Sequence, residues 1–226
     1  MKAKVLNPNM TAFWLANSLF LLLLMSAAAM ALEEPSYQVI EQHDEFELRR
    51  YDPYIVAEVD VPGDSDSADG YAFRILAGYI FGDNQAAEKM EMTAPVESRP
   101  AAASVKMEMT APVTSAPADK QGMTTYAFVM ERKYSLETLP RPNNDRVRLR
   151  TVPAKTVAVR RYAGRWTDKN YAEHTESLRT ALAAQGIETV GEPTLARYNS
   201  PFSLPIMRRN EIMLEIVSKA ARNTPD

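Results

Sequence analysis

The sequence contains no cysteine. This absence excludes disulfides, thiolate nucleophiles, zinc–thiolate sites and iron–sulfur clusters. Imidazole is almost as scarce, because His43 and His174 are the two histidines of the chain. A metal or catalytic site would therefore have to be built from these two histidines, from carboxylates, or from Tyr, Lys and Met side chains.

The chain also lacks an excess of positive charge. It has 26 Lys and Arg against 29 Asp and Glu, a formal net charge of −3. Because proteins that hold nucleic acid neutralise its phosphates with basic side chains, this balance argues against a nucleic-acid partner. With 8 Gly and 15 Pro, the composition is also not that of a fibrous or low-complexity protein. Small molecules and proteins are the expected partners.

Long apolar runs are confined to the N-terminus. The run at 13–25 follows Lys2 and Lys4 and precedes small residues that include Ala29 and Ala31. A basic start, a short apolar run and an A-x-A pattern are typical of a secretory signal peptide. The alternative, a membrane anchor, would need about 20 apolar residues. We expect residues 1–31 to be a signal peptide. The mature protein would then be secreted, in a bacterial periplasm, with no stable membrane span.

The remaining residues, 32–226, read as one domain with an internal repeat. In the first half, the sequence predicts strands at 37–42, 46–51 and 54–61, followed by a helix over 71–81. Similar elements recur about one hundred positions later, which indicates a duplicated unit whose halves share one sheet. The other predicted elements are strands at 124–130, 147–152, 155–161, 194–198 and 211–217, and a helix over 168–185 that is capped by Thr167 and ended by Gly186.

A second repeat is local and rich in methionine. The segment at 89–96 recurs without change at 106–113. Its methionines alternate with polar residues, which is typical of a half-buried strand, and Pro95 and Pro112 would confine each segment to a sheet edge or a bend. Core packing is the favoured role of these methionines, with thioether ligation of a metal as the alternative.

Several motifs resemble the SOUL haem-binding protein family in their order and spacing. They lie at 46–51, 79–82, 89–96 with 106–113, 128–130, 139–140, 196–202 and 208–211. The resemblance implies an α+β fold of two pseudo-repeats, each with antiparallel strands and one helix, that form a distorted open barrel flanked by two helices. It also implies non-covalent, exchangeable binding of haem or another tetrapyrrole for sequestration or transfer, and no enzymatic activity.

The resemblance implies a hydrophobic cleft between the first helix and the loop over 198–210. In vertebrate members a histidine taken as an iron ligand stands where this chain has Arg50, while other members bind haem without it and use basic residues for the propionates. The candidate lining residues are Phe73, Arg74 and Ala77 on the helix and Tyr198, Arg208 and Arg209 around the loop.

Each candidate has a structural alternative. His43 and His174 are candidate axial ligands, but an exposed loop histidine and a half-exposed helix histidine are the simpler interpretations. Arg208 and Arg209 would hold propionates or pair with acidic side chains such as Glu211. At the level of function, the alternative to a tetrapyrrole carrier is an envelope interaction protein with the same fold that no longer binds haem, an interpretation motivated by Arg50.

Overall fold

Strands rich in Val, Ile and Tyr form one strongly curled antiparallel sheet of nine strands, accompanied by two helices and a two-stranded ribbon. The computed structural model describes residues 32–63, 68–86 and 104–217, and Glu33–Asp226 forms one compact unit. The strands are β1 (Tyr37–Gln42), β2 (Glu47–Tyr51), β3 (Tyr54–Pro62), β4 (Asn84–Gln85), β5 (Val113–Pro117), β6 (Met123–Val129), β7 (Arg141–Pro142), β8 (Arg148–Val152), β9 (Lys155–Tyr162), β10 (Thr189–Arg197) and β11 (Asn210–Ile216); the helices are α1 (Ala68–Ile80) and α2 (Asp168–Ala184).

The order of the strands confirms the predicted duplication and the α+β open barrel. The sheet runs β1-β2-β9-β11-β10-β5-β6-β3-β8, and all of these neighbours pair antiparallel. Reading outward from the central β5–β10 pair, β6, β3 and β8 on one side correspond to β11, β9 and β2 on the other. The strands of each sequence repeat are thus divided between the two sides of the sheet, and β2 and β3 pair with β9 and β8 of the other repeat.

Both helices pack on the same face of the sheet. Alternate residues of β3, namely Ala57, Val59 and Val61, pack with Leu76 and Tyr79 of α1. The second core is equivalent: α2 buries Leu178 and Leu182 against side chains of β9, β10 and β11. Between the two helices, the central strands β6, β5 and β10 are left partly uncovered.

The opposite face carries apolar side chains without a helix over them in the described part of the chain. Tyr51, Val157, Val159, Ala196 and Met213 form one cluster there. A smaller cluster lies over β3, β6 and β8. Within the described residues, no helix is long and apolar enough to cross a membrane.

The predicted strand over the second methionine segment is wrong. Residues 106–112 follow an irregular path, and β5 begins only at Val113. Hydrogen bonds to neighbouring elements fix this path. The Met107 amide donates to the Ile80 carbonyl of α1 at 2.9 Å, and the Thr110 hydroxyl donates to the Val129 carbonyl of β6. Met107 is buried in the α1 core, as its predicted packing role requires. The predicted signal peptide and the first methionine segment lie outside the described residues.

Candidate functional site

A groove lies on the helix-bearing face where α1 stops covering the central strands. It encloses about 340 Å³. One side is α1, the floor is β5 and β6, and the far side is formed by the segment before α2 and the loop after β10. The lining residues are Asp69, Gly70, Phe73, Val113, Tyr126, Phe128, Trp166, Arg197, Asn199 and Pro201.

The floor and one wall of the groove are aromatic. Phe73 projects from α1 and meets Phe128 of β6 edge to face, with 5.5 Å between the ring centroids. Phe73 is 42% exposed, although it belongs to a helix whose other large apolar residues are mostly buried. The wall is therefore an apolar surface that faces solvent, as ligand grooves require.

One charged cluster lies at the edge of the groove. Arg197 Nη1 lies 2.6 Å from Asp69 Oδ2, and the Tyr126 hydroxyl donates to the other oxygen of Asp69. Burial, reinforced by this bond to Asp69, raises the pKa of Tyr126, so the phenol remains a donor at neutral pH. The Arg197 Nε is buried and has no hydrogen-bond partner among the described residues. A buried donor without an acceptor costs stability, and an incoming acceptor would remove that cost.

Trp166 holds the arginines at this edge. Its ring lies under the guanidinium groups of Arg197, at 5.1 Å, and Arg208, at 4.4 Å. The indole N–H donates to Asn210 Oδ1 at 2.7 Å, which fixes the ring against the start of β11. Trp166, Arg197 and Asp69 also line a neighbouring hollow of about 280 Å³ toward α2. The groove and this hollow therefore meet at one aromatic and charged partition.

The three candidates on α1 are placed differently. Phe73 lines the groove. Arg74 is exposed and lies 6.0 Å from the Tyr71 ring, outside the groove. Ala77 is buried within the α1 core. The helix therefore supplies Phe73, Gly70 and Asp69 to the groove, one turn nearer its N-terminus than expected.

Tyr198 and Arg209 do not face the groove, because they belong to a cluster on the opposite face. At its centre is Glu211, which is fully buried. The Tyr198 hydroxyl donates to Glu211 at 2.8 Å, Arg209 Nε donates at 2.9 Å, and Arg49 Nη1 donates at 2.9 Å. We call Arg49, Tyr198, Arg209 and Glu211 the Glu211 cluster. Arg209 thus pairs with the acidic residue considered as its alternative partner.

Within the Glu211 cluster, burial and charge have opposite effects on the pKa of Arg49 and act in the same direction on the pKa of Tyr198. Burial by itself would lower the pKa of Arg49, but the facing Glu211 carboxylate raises it above its ordinary value. Burial raises the pKa of Tyr198, and the negative charge of Glu211 raises it further. Every member is hydrogen-bonded within the cluster, which therefore serves to hold the strands of the fold together.

Arg208 serves the loop that follows β10. Its guanidinium donates to the carbonyls of Ser203 at 3.0 Å and Pro201 at 2.6 Å. It forms no ion pair within the described residues, so its charge is not neutralised by a carboxylate. Arg208 therefore lies beside the groove and shapes the loop that carries the lining residue Pro201.

Neither histidine lines the groove. His43 is half-buried and stacks on Phe46, with 4.2 Å between the rings, so it is less exposed than the sequence suggested. His174 stacks on Tyr162 at 4.0 Å on α2, and burial lowers its pKa. No cluster of three or more metal-binding side chains occurs among the described residues. The expectation of an axial imidazole is not met at the groove.

Sequence reasoning missed Arg197 and Trp166. Arg197 is two residues after Leu195, which packs in the α2 core, and residues two apart on a strand share a face. This alternation places Arg197 on the helix-bearing face of the sheet and Tyr198 on the opposite face. The sequence gives a weaker indication that Trp166 belongs to the site. Its one marker is its position directly before the helix cap Thr167, whose side chain accepts a hydrogen bond from the Asn170 amide.

A larger hollow of about 640 Å³ lies on the opposite face. Its charged lining is largely paired, since Arg148 and Arg150 both contact the buried Glu58, at 3.2 and 2.8 Å. Lys155 also lines it, and burial lowers the pKa of this amine. This hollow is more polar in its lining residues than the groove.

Comparison with known proteins gives the family. A family model described as SOUL heme-binding protein matches residues 32–215. Heme-binding protein 2 of Mus musculus is 29% identical over 193 residues, covering 81% of this chain and 86% of the relative. Heme-binding protein 2 of Homo sapiens is 30% identical over 195 residues, covering 83% and 88%.

Solved structures share the fold at low sequence identity. The C-terminal domain of EcmrR aligns with a TM-score of 0.55 at 10% identity, covering 80% of this chain and 98% of that domain. An uncharacterised conserved protein of Listeria innocua aligns with a TM-score of 0.54 at 12% identity, covering 76% and 92%. The family match over nearly all of the described residues and the duplicated open barrel agree, and the chain therefore belongs to the SOUL heme-binding protein family.

Proposed function

We propose that the protein binds haem or another tetrapyrrole non-covalently in the groove beside α1, for sequestration or transfer and without a chemical step. The observation that carries the proposal is the solvent-facing Phe73, packed edge to face on the buried Phe128, next to an Arg197 Nε that has no hydrogen-bond partner among the described residues. A flat apolar ring with carboxylate substituents suits both features. Membership of a heme-binding family supports the ligand class.

The residues of the groove fit such a ligand in three respects. Phe73, Val113, Phe128 and Pro201 offer apolar contact, and this contact would supply most of the affinity. Arg197 would hold a propionate through its free Nε, since guanidinium and carboxylate form strong hydrogen bonds. The groove of about 340 Å³ is at the small end of ligand sites, so a tetrapyrrole would reach into the adjoining hollow or leave one edge in solvent.

The iron of a bound haem would not receive an imidazole from the groove lining, which contains no histidine. Affinity would then come from shape and charge, and the ligand would exchange readily. Such exchange suits a carrier that collects and passes on a tetrapyrrole. We further propose that residues 1–31 direct the protein out of the cytoplasm, to a bacterial periplasm, where the carrier would act.

The direct test is titration of the purified protein with hemin, followed at the Soret band. We expect a saturable spectral change with the unaltered protein and with His43→Ala and His174→Ala. Phe73→Ala is expected to weaken binding by at least about tenfold, because a buried aromatic contact is lost. Phe81→Ala is the matched control, since Phe81 follows the same helix, is exposed and lies outside the groove lining.

The titration also separates the proposal from its alternative. Absence of a saturable change at micromolar hemin would favour the interaction protein that has kept the fold without the ligand. Equal losses of hemin affinity in Phe73→Ala and Phe81→Ala would show that hemin does not bind in the groove. Loss of the spectral change in His43→Ala or His174→Ala would show that the imidazole of that histidine ligates the iron.

A further inference from the structure

We propose that the loop between β10 and β11, residues 198–209, docks on an anionic lipid surface and inserts its apolar tip at the interface. This inference does not depend on tetrapyrrole binding. It would, however, bring the groove to the surface, because Asn199 and Pro201 belong both to the loop and to the groove lining.

The tip of the loop exposes large apolar side chains that have no cover. Phe202 is 95% exposed, Ile206 82%, Met207 71% and Leu204 62%. Other exposed apolar residues, such as Val39 and Val190, lie on strands and are less exposed, at 48% and 52%. Contiguous exposed apolar groups of this kind mark interaction surfaces, because they carry a cost in water that only a partner removes.

The backbone of the loop is closed by its own hydrogen bonds, so the apolar side chains are displayed from a defined shape. The amides of Ser203 and Met207 donate to the carbonyls of Ser200 and Leu204, at 3.0 and 2.9 Å. The Arg208 guanidinium covers two further carbonyls, as described above. Pro201 and Pro205 have no N–H to satisfy. These bonds satisfy part of the backbone at the tip, and its remaining N–H and C=O groups would stay in the hydrated headgroup layer while the side chains reach deeper.

Positive charge surrounds the base of the loop. Residues 198–210 contain no Asp or Glu, and they include Arg208, which forms no ion pair with any residue that the structure describes. The Gly164 amide donates to the Pro205 carbonyl at 3.0 Å, so the exposed Arg165 stands beside the loop. Within the described residues Arg165 also forms no ion pair. The nearby Asp69 carboxylate is already paired with Arg197.

This arrangement matches the layers of a bilayer surface. Apolar side chains would lie at the depth of the acyl chains, while Arg165, Arg208 and the Trp166 ring would lie at the depth of the headgroups. Arginines near such a surface are attracted to anionic lipids. A protein partner is less well matched, because the loop offers neither a free strand edge nor a helix face.

The first test measures binding to vesicles. The fragment 32–226 is used, since it contains all the described strands and helices and lacks the apolar run at 13–25, which would bind vesicles by itself. We expect sedimentation with vesicles of phosphatidylcholine and phosphatidylglycerol, and weaker binding to phosphatidylcholine alone. The double substitution Phe202→Ser/Ile206→Ser should weaken binding at least about tenfold, because two apolar insertions are lost. The matched control, Val39→Ser/Val190→Ser, should bind like the unaltered fragment.

The second test uses the absence of cysteine. A single Ile206→Cys or Val190→Cys substitution allows an environment-sensitive fluorophore to be attached at one site. Emission from position 206 should shift to the blue on addition of anionic vesicles, and emission from position 190 should not. Equal shifts at both sites, or vesicle binding that survives the loop substitution, would overturn the proposal. So would a dimer that the loop substitution dissociates, because the apolar tip would then be a contact between two copies.

Discussion

Two clusters built from the same kinds of side chain, a carboxylate with tyrosine and arginine, lie on opposite faces of the sheet and differ in how completely their hydrogen bonds are satisfied. The Glu211 cluster joins a carboxylate, a tyrosine and two arginines, all hydrogen-bonded and centred on a carboxylate with no exposure. At the groove, Asp69, Tyr126 and a single arginine, Arg197, form a smaller version with a half-exposed carboxylate and an Arg197 Nε that has no hydrogen-bond partner among the described residues. The Glu211 cluster, which we call the closed cluster, holds strands together. The open cluster of Asp69, Tyr126 and Arg197 has a donor left for a ligand.

The largest expected effect is on the closed cluster. Glu211→Gln would leave Arg49 and Arg209 buried without their shared counter-charge, so we expect a loss of about 3–5 kcal/mol in the free energy of unfolding. Asp69→Asn, the equivalent change at the groove, should cost less than about 1 kcal/mol because the Asp69 side chain is half-exposed and its charge is solvated by water. Urea unfolding followed by circular dichroism measures both. Similar losses in the two variants would contradict the distinction.

The tyrosine of the closed cluster should also make stability depend on alkaline pH. Burial raises the pKa of Tyr198, and it raises the pKa of the neighbouring Tyr51, whose hydroxyl accepts from Arg49 Nη1, to about 12. An unfolded tyrosine titrates near pH 10, roughly. The folded state therefore holds the phenolic protons more tightly, so their stabilisation is complete below about pH 10 and is lost as the pH rises through about 12.

We expect the free energy of unfolding to be flat from pH 7 to 9 and to fall at pH 11. Tyr198→Phe should cost about 1.5–3 kcal/mol at pH 7, because Glu211 loses one hydrogen bond, and should make the alkaline fall shallower. Tyr126→Phe is the comparison from the open cluster: it should cost less at pH 7, because Asp69 keeps contact with water, and should also make the alkaline fall shallower, because the pKa of Tyr126 is raised too. A steeper fall in Tyr198→Phe would show that its phenol is not held protonated by the fold.

The open cluster should influence the ligand more than the fold. Arg197→Met is expected to weaken hemin binding by about tenfold or more, which is the worth of one charge-assisted hydrogen bond. Its effect on the free energy of unfolding should be under about 1 kcal/mol, since its partner Asp69 keeps access to water. Arg74→Met, at a nearby exposed arginine outside the groove, should change neither quantity. A change of hemin affinity in Arg74→Met would indicate that Arg74 contributes to the binding site.

The smallest expected effect concerns two glycines of α1. A Cβ at Gly70 would meet nothing within 4 Å, and one at Gly78 would make ordinary contact with Asp83 at 3.8 Å. Either Gly→Ala change should stabilise the helix by up to about 1 kcal/mol, because alanine loses less backbone entropy. Only Gly70→Leu, which extends into the groove, should then reduce hemin binding. Equal binding in Gly70→Leu and the unaltered protein would argue against occupation of the groove.

Much of the fold could be predicted from local pattern. The β1 strand matches its predicted range, and α2 begins at Asp168 as its cap indicated. The prediction was incomplete where distant contacts decide the path. The first half of β10 contains Gly191 and Pro193 and an irregular register between Val190 and Thr194, so its sequence resembles a turn. The segment at 106–112 reads as a strand, but its backbone amides donate to separate places, that of Met107 to the Ile80 carbonyl of α1 and that of Ala111 to the Glu33 carbonyl.

The site was predicted less well for a similar reason. Neighbouring residues on a strand point to opposite faces, so a change of one position moves a side chain from the groove to the Glu211 cluster. Tyr198 was selected, while its neighbour Arg197 faces the groove. The motif over 196–202 located the correct strand end, but the face depends on which residues the helices cover. Arg209 shares a face with Glu211 for the same reason, and it therefore lies on the side of the sheet opposite the groove.

The exchange of strands between the two repeats constrains how the chain folds. Because β2 and β3 pair with β9 and β8, and β5 pairs with β10, each half of the sequence is completed by hydrogen bonds to the other. These contacts span about one hundred residues, so high contact order should make folding slow. Either half made alone would display unpaired strand edges, which favour aggregation and the swapping of halves between molecules.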